Sequence, residues 1–358
     1  IMSISVLEDR QAIKKLDPDG ALASAESIAD QVKQVWEEQD QIDLKNYKNV
    51  ANIVVAGMGG SALGADFVRN LYKKELSVPM EICKDYSLPN YVNKNTLVIL
   101  SSYSGSTEET LDCAKEAESK GAMIAIVTAG SKLAQLAKEK NYPNYIINPK
   151  FNPSNQPRMA TAYNIMAIIL MLKKLDLLKF DEEDFHQVLD AINVTSQRCL
   201  IEVPQEKNQA KILAFMFVER RPILVGAEFL EGALHIANNQ LNENAKIYAD
   251  YKIIPEINHH LLEGLTFPKS NALNHFFVFF QSSLYRNEVQ KRIELTRQAV
   301  EKTGIESIEI KLESENKLMQ AFELITLGTF TNLYLSYLEG INPCPIPMVD
   351  WFKAQLEK

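Results

Sequence analysis

The sequence predicts an α/β protein made of two doubly wound parallel-sheet units, flavodoxin-like sandwiches, joined by a helical connector and followed by a C-terminal helix. Three observations carry that expectation. Short β-branched runs alternate with stretches of helical spacing, the pattern of parallel strands covered on both faces. The alternation pauses in mid-chain and then resumes in the same order. The chain has 358 residues, enough for two domains with a core in each.

Residues 21–39 have the apolar spacing of an amphipathic helix. "NIVVAG" reads as a buried parallel strand running into glycine, and "SALGADFVRNLYKKE" as the helix after it. "MEICKD" is a second strand and "TLVILSS" a third. "TEETLDCAKEAESKG" is a helix, with Glu108 and Glu109 in its first turn and Gly121 at its end. "AMIAIVT" is the fourth strand. The prolines and asparagines of "NPKFNPSNQPRMA" mark a connector, and a mostly helical stretch follows to about Leu200. The pattern then returns: "RPILVG" as strand, "AEFLEGALHIANNQL" as helix, "AKIYAD" and "HFFVFF" as strands, "NEVQKRIELTRQAVEKTG" as helix, "SIEI" as strand and "LMQAFELITLGTFTNLYLSYLEG" as a long helix. Pro343, Pro345 and Pro347 end that helix, and "MVDWFKAQLEK" is expected to pack back as a short last one.

Hydrophobic residues make up 46% and charged residues 23%, as in ordinary globular proteins. The net charge of -8 argues against a nucleic-acid partner; a small anion would need a local site that overcomes the global field. Cys83, Cys113, Cys199 and Cys344 are scattered and form no CxxC, which fits a reducing compartment. The N-terminal stretch lacks the apolar core of a signal peptide, and "AIIL" is too short to span a bilayer. A soluble, cytoplasmic protein without membrane partners is expected.

Ligands of open parallel sheets bind beyond the carboxyl ends of the strands, near helix N-termini. Two loops fall there: "AGMGGSALG" after the first strand and "SSYSGSTEE" after the third. In the second, six of the seven residues from Ser101 to Thr107 carry hydroxyls. Unpaired N–H groups at a helix start hold phosphate without a lysine. Ser102, Ser104 and Thr107 could each donate to it, at roughly 1.5–3 kcal/mol per bond to a charged group. Helix capping accounts for Thr107 equally well, but not for the hydroxyls before it. "GMGGSA" also fits a loose dinucleotide fingerprint through Gly57, Gly59 and Ala62, with Glu81 or Asp85 as the ribose acid. The second unit has no such hydroxyl run; after "HFFVFF" it reads "QSSLYRN".

"GMGGSALG" followed by "SSYSGSTEETL" resembles the sugar isomerase (SIS) domain, whose serine-rich loop clasps a sugar phosphate. "QPRMATAYN", "NENAKIYAD…EINHHLLEGL" and "NPCPIPMVDWFK" resemble three further segments of one branch, the bifunctional phosphoglucose/phosphomannose isomerase family, in the same order. The resemblance covers nearly the full chain. It implies two SIS domains, at 1–155 with the serine loop and at 205–358 with the catalytic acid, histidine and last helix, around a helical connector at 156–204. It implies a hexose 6-phosphate substrate, an enediol intermediate, and no metal or redox cofactor. On the same basis Glu243 is the base that moves a proton between C1 and C2. His259 assists ring opening from the other subunit of a homodimer, Lys353 sits near the ring oxygen or C1, and Arg158 stabilises the anionic intermediate. Gly60, Ser61, Ser102, Ser104 and Thr107 hold the phosphate.

The chemistry suits these residue types. A carboxylate can both take and return a proton on one face of an enediol, at about 10²–10⁴-fold in rate, and burial raises its basicity toward neutrality. A guanidinium stabilises an enediolate without losing its own proton. Other readings stay open on the residues alone. Glu243 could be a loop acid paired with Lys246, Lys353 a surface lysine and Arg158 a linker arginine. His186 reads as surface, His235 and His275 as structural. His260 stands where the family has Asn, and with Glu263 it makes only two metal ligands, one short of a site. A non-catalytic sugar-phosphate regulator and an isomerase of another sugar phosphate remain the competing functions.

Overall fold

The structure, a computed structural model, describes residues 4–356. β1 (Asn52–Ala56), β2 (Met80–Cys83), β3 (Thr96–Ser102), β4 (Met123–Thr128) and β5 (Asn144–Ile146) form one sheet in the order β2-β1-β3-β4-β5. β6 (Arg221–Ala227), β7 (Asp250–Ile254), β8 (His275–Gln281) and β9 (Glu306–Lys311) form a second, in the order β7-β6-β8-β9. Every strand pair is parallel. All of β3 is buried, as its unbroken apolar run requires of a strand covered on both faces. Each sheet reverses its strand order once, between β1 and β3 and between β6 and β8, so the two ligand crevices are fixed by topology.

Four details differ from the sequence expectation. The 21–39 helix breaks at Ser27 into Ala21–Glu26 and Ile28–Glu37. β5 has no counterpart in that expectation; it is a three-residue edge strand, too short to show a period. The strand expected at "AKIYAD" forms later, at Asp250–Ile254. Lys246 adopts a left-handed backbone (φ 56°), which stops an extended strand from starting there, and Glu243 becomes the last residue of the Glu231–Glu243 helix. The last helix, Pro347–Leu356, does not pack back: it buries no residue, and Met348, Trp351, Phe352 and Leu356 are exposed.

One hydrophobic core runs through both units, and a smaller one fills the far face of the first sheet around Val54, Val98 and Cys113. The Lys317–Leu338 helix is buried on nearly all sides and packs against the helices Glu182–Cys199, Gln209–Phe217 and Glu231–Glu243. The units meet where the Gly60–Leu71 helix of the first lies on the Glu231–Glu243 helix of the second. Across that seam the Asp66 carboxylate binds His235 at 2.6 Å, and within its own helix it binds Arg69 at 2.6 Å. Burial alone would raise the Asp66 carboxyl, but the His235 hydrogen bond and the Arg69 charge outweigh it and the net movement is downward. His235 is therefore structural, as expected.

Candidate active site

The serine loop leaves β3 at Ser102 and enters the Glu108–Ser119 helix at Thr107. Its hydroxyls divide by task. Ser101 is structural: it donates to the Ser61 carbonyl (2.8 Å) and accepts from Asn164 (2.7 Å), tying β3 to neighbouring helices. The Tyr103 hydroxyl donates to Asn155 (2.9 Å) and accepts from Asn152 (3.1 Å). Ser102, Ser104, Ser106 and Thr107 turn to one another instead. Ser102 Oγ lies 2.7 Å from Thr107 Oγ1 and 3.4 Å from Ser104 Oγ, and accepts from the Gly105 N–H at 3.1 Å. Thr107 is the N-cap residue by position yet makes no side-chain cap bond, so capping does not explain its hydroxyl. Gly105 is required here: φ is +71°, and a Cβ would stand 1.8 Å from the Gly130 carbonyl oxygen.

The Gly60–Leu71 helix begins beside this cup, also without a side-chain cap. Ser61 Oγ accepts from the Tyr103 N–H at 2.9 Å, which locks the two loops together. Two uncapped helix starts and a cluster of hydroxyls thus converge beyond β1 and β3, an arrangement suited to an anionic ester.

The second crevice is filled from within. Tyr285, from the "QSSLYRN" loop, is buried; its hydroxyl accepts from the Ala227 N–H at the end of β6 (3.1 Å) and donates to the Phe280 carbonyl (3.2 Å). Ser282 donates to Gln320 at 2.6 Å. In the second unit the Ala227 N–H and the Ser282 hydroxyl are thus spent on the protein's own side chains.

Arg158 joins the cup to the second unit. Gly60 packs so closely on it that a Cβ there would lie 3.2 Å from the Arg158 backbone nitrogen. The Arg158 side chain is fully buried and all its donors are engaged. Nε donates to Asn244 Oδ1, Nη1 to Gln156 (2.9 Å) and Glu243 (3.4 Å), and Nη2 to the carbonyls of Pro343 (2.9 Å) and Cys344 (2.7 Å). One guanidinium therefore gathers the 157–159 turn, the end of the Glu231–Glu243 helix and the proline-rich strap before the last helix. Burial moves Arg158 below its ordinary range, against the pull of Glu243.

Glu243 keeps about a third of its side-chain surface open (31%), beside this hub. Burial raises its carboxyl above the usual range, and the charges of Arg158, Lys246 and Lys353 only partly restrain the rise. Both members of the Arg158–Glu243 pair thus shift toward neutrality: at 3.4 Å their attraction does not repay desolvation. Such a carboxylate is more basic than a free glutamate, as proton transfer at neutral pH requires. Lys353 is exposed on the last helix, yet close enough for its charge to reach Glu243.

His259 lies elsewhere in the chain. It ends the short 3-10 turn Glu256–His259 beyond the carboxyl end of β7, whereas Glu243 precedes the start of β7. β7 alone spans about 13 Å at ~3.3 Å per residue. Among the described residues no hydrogen bond or ion pair joins His259 to Glu243, and His259 is not among the charges acting on the Glu243 carboxyl. His259 and His260 are both exposed, and His260 is paired with Glu256 at 2.6 Å.

Sequence reasoning missed Gln156, Asn244 and Lys246 as parts of this cluster, although "QPR" and "NENAK" contain all three. Lys246 donates to the carbonyls of Glu243 (2.7 Å), Asn244 (3.2 Å) and Pro343 (2.7 Å), not to the Glu243 carboxylate. Two cavities of about 580 and 590 Å³ lie away from the cluster, around Phe229 and Arg286 and around Arg10 and Asp17. Chemistry, not size, singles out the serine cup. Among the described residues no helix is long and apolar enough to cross a membrane.

Comparison with known proteins finds similarity over nearly the whole chain. Residues 47–173 match the SIS domain family, and residues 206–356 match the bacterial phospho-glucose isomerase C-terminal SIS domain. A bifunctional phosphoglucose/phosphomannose isomerase of Caldicellulosiruptor bescii is 29% identical over 344 residues, 93% of this chain and 98% of that protein. Its counterpart from Aquifex aeolicus is 28% identical over 325 residues, 90% of this chain and 94% of that protein. In fold the chain is similar to a hypothetical protein of Thermus thermophilus, with a TM-score of 0.78 at 15% identity, covering 99% of this chain and 94% of that one.

Proposed function

The chain belongs to the bifunctional phosphoglucose/phosphomannose isomerase family, and from that premise we propose that it interconverts glucose 6-phosphate and mannose 6-phosphate with fructose 6-phosphate. The observation that carries the reading is Arg158: its backbone lies against Gly60 at the phosphate cup and its side chain holds Glu243 of the other unit. A sugar anchored by its 6-phosphate in that cup extends C1 and C2 toward the carboxylate.

In this reading Ser102, Ser104, Thr107 and Ser61 and the N–H groups from Gly60 onward receive the phosphate oxygens. Glu243 takes the proton from C2 of the aldose and returns it to C1, and in the reverse direction from C1 to C2. Negative charge builds on the enediol oxygens. Nη1 of Arg158, whose contact with Glu243 is long, is the donor best placed to shift toward that charge, while the other contacts hold the guanidinium in place. Lys353 adds a positive charge near the same end. Glucose and mannose esters differ only at C2 and give one enediol, so a base that reaches C2 serves both.

His259 acts from a second subunit. The exposed apolar side of the Pro347–Leu356 helix, beside Lys353, supports a dimer: leaving Met348, Trp351, Phe352 and Leu356 in water is costly for a single chain. A coupled assay with glucose 6-phosphate and mannose 6-phosphate side by side tests the reading. Turnover of both supports it; intact binding of fructose 6-phosphate without conversion of any of the three would make the protein a sugar-phosphate sensor.

A further inference from the structure

We propose that Lys246 is a positioning residue of this site: its ammonium clamps the end of the helix that carries Glu243 to the proline strap that leads into the helix of Lys353. The inference rests on the isomerase reading and extends it to a residue with no role so far. The geometry is specific. An ammonium has three N–H donors, and Lys246 Nζ meets three carbonyls, of Glu243 at 2.7 Å, Asn244 at 3.2 Å and Pro343 at 2.7 Å. Two of these are the last carbonyls of a helix, which have no intrahelical partner and attract a cation. The third belongs to the strap, between the end of the Lys317–Leu338 helix and the start of the helix that bears Lys353. Pro343 O also receives Arg158 Nη2 at 2.9 Å, so the two cations share one anchor.

The backbone makes the placement more telling. Lys246 sits at φ 56°, a conformation in which Gly or Asn fits with less strain than a long side chain. A lysine there is useful for what its amine reaches. The groups facing that amine are Arg158 from the 157–159 turn, the Glu243 carboxylate from its own helix, and the Cys344 thiol from the strap. Burial, aided by the Arg158 charge and opposed by Cys344 and Glu243, brings Lys246 down to about 8. Once deprotonated, the amine turns a lone pair toward one of its three carbonyls and the clamp loosens. Loss of activity on the alkaline side follows from that. On the acid side the Lys246 charge restrains the rise of the Glu243 carboxyl.

The test is the pH profile of kcat and KM for fructose 6-phosphate in wild type, Lys246→Met, Lys246→Arg and Lys246→Gly, each checked for native fold by circular dichroism. Lys246→Met should lower kcat about tenfold or more while KM stays within about twofold, because the phosphate cup is untouched. Its acid limb should move to higher pH, since Glu243 loses a positive neighbour, and its alkaline limb near 8 should vanish. Lys246→Arg should restore most of kcat and carry the alkaline limb upward. Lys246→Gly relieves the backbone yet should lose activity as the Met variant does; if it is as active as wild type, the side chain has no positioning role. The proposal is overturned if the Met variant keeps kcat within about twofold with both limbs in place. A readout without turnover separates this from the function itself: carbon NMR of labelled Glu243 should show its midpoint rising in Lys246→Met and returning in Lys246→Arg. Wild type inactive on all three sugar esters, with that midpoint moving, refutes the isomerase reading and keeps the coupling. Wild type active, with neither kcat nor midpoint moving, does the reverse.

Discussion

Replacing Glu243 with Gln removes one ionisable group and keeps the shape of the side chain. The amide oxygen can still accept from Arg158 Nη1, and four other acceptors, on Gln156, Asn244, Pro343 and Cys344, keep the guanidinium in place. The folded state should therefore survive. Stability has a definite sign here. Folding raises the Glu243 carboxyl, so its contribution is fully present below the unfolded value and is lost as pH rises through the folded one. At neutral pH the ionised carboxylate is a net cost, and Glu243→Gln should leave stability within about 1 kcal/mol of wild type or slightly above it. Chemistry should suffer far more. A positioned base contributes about 10²–10⁴-fold, equivalent to about 2.7–5.5 kcal/mol of barrier. The loss should appear in kcat, because the phosphate cup and its hydroxyls are untouched. The assay is fructose 6-phosphate isomerisation coupled to a dehydrogenase for the aldose product, with binding followed by calorimetry. A fall in kcat of less than about tenfold, or a weakened binding constant with kcat preserved, refutes the base role.

Ser102→Ala removes the hydroxyl that links Gly105, Ser104 and Thr107; it should weaken sugar-phosphate binding by roughly 1.5–3 kcal/mol, and an unchanged KM would take Ser102 out of the cup. Arg158→Met leaves the partners of a fully buried cation unsatisfied, so denaturant unfolding should register a loss of about 3–5 kcal/mol; a loss below about 1 kcal/mol would mean that the hub is not structural. Mixing inactive Glu243→Gln with inactive His259→Asn after joint refolding should restore activity, because one site in each mixed dimer regains an intact Glu243 and an intact His259. No recovery, with mixed dimers present, would place His259 outside the partner's site.

How far the fold could be read depended on the kind of signal. Strands such as β3 and β8 were legible because a strand buried on both faces must be continuously apolar. β7 was displaced because "AKIYAD" has strand composition, and nothing local reveals that the Lys246 amine and backbone are recruited by a strap almost a hundred residues away. The serine cup stood out by composition alone, yet only the structure separates Ser101, which braces Asn164, from Ser102 and Thr107, which face each other. Glu243 and Lys353 carried no local signal and entered through resemblance. Their relation became physical once Arg158 was seen to hold the helix end and the strap together. The last helix misled because its apolar residues say that a face will be covered, but not by what.

The decisive measurement is a crystal structure with fructose 6-phosphate or an open-chain enediolate analogue bound. Phosphate oxygens on Ser102, Ser104 and Thr107, with a Glu243 carboxylate oxygen within about 3.5 Å of C1 and C2, would sustain the proton-transfer assignment. A phosphate seated elsewhere, or sugar carbons out of reach of Glu243 in every subunit, would contradict it.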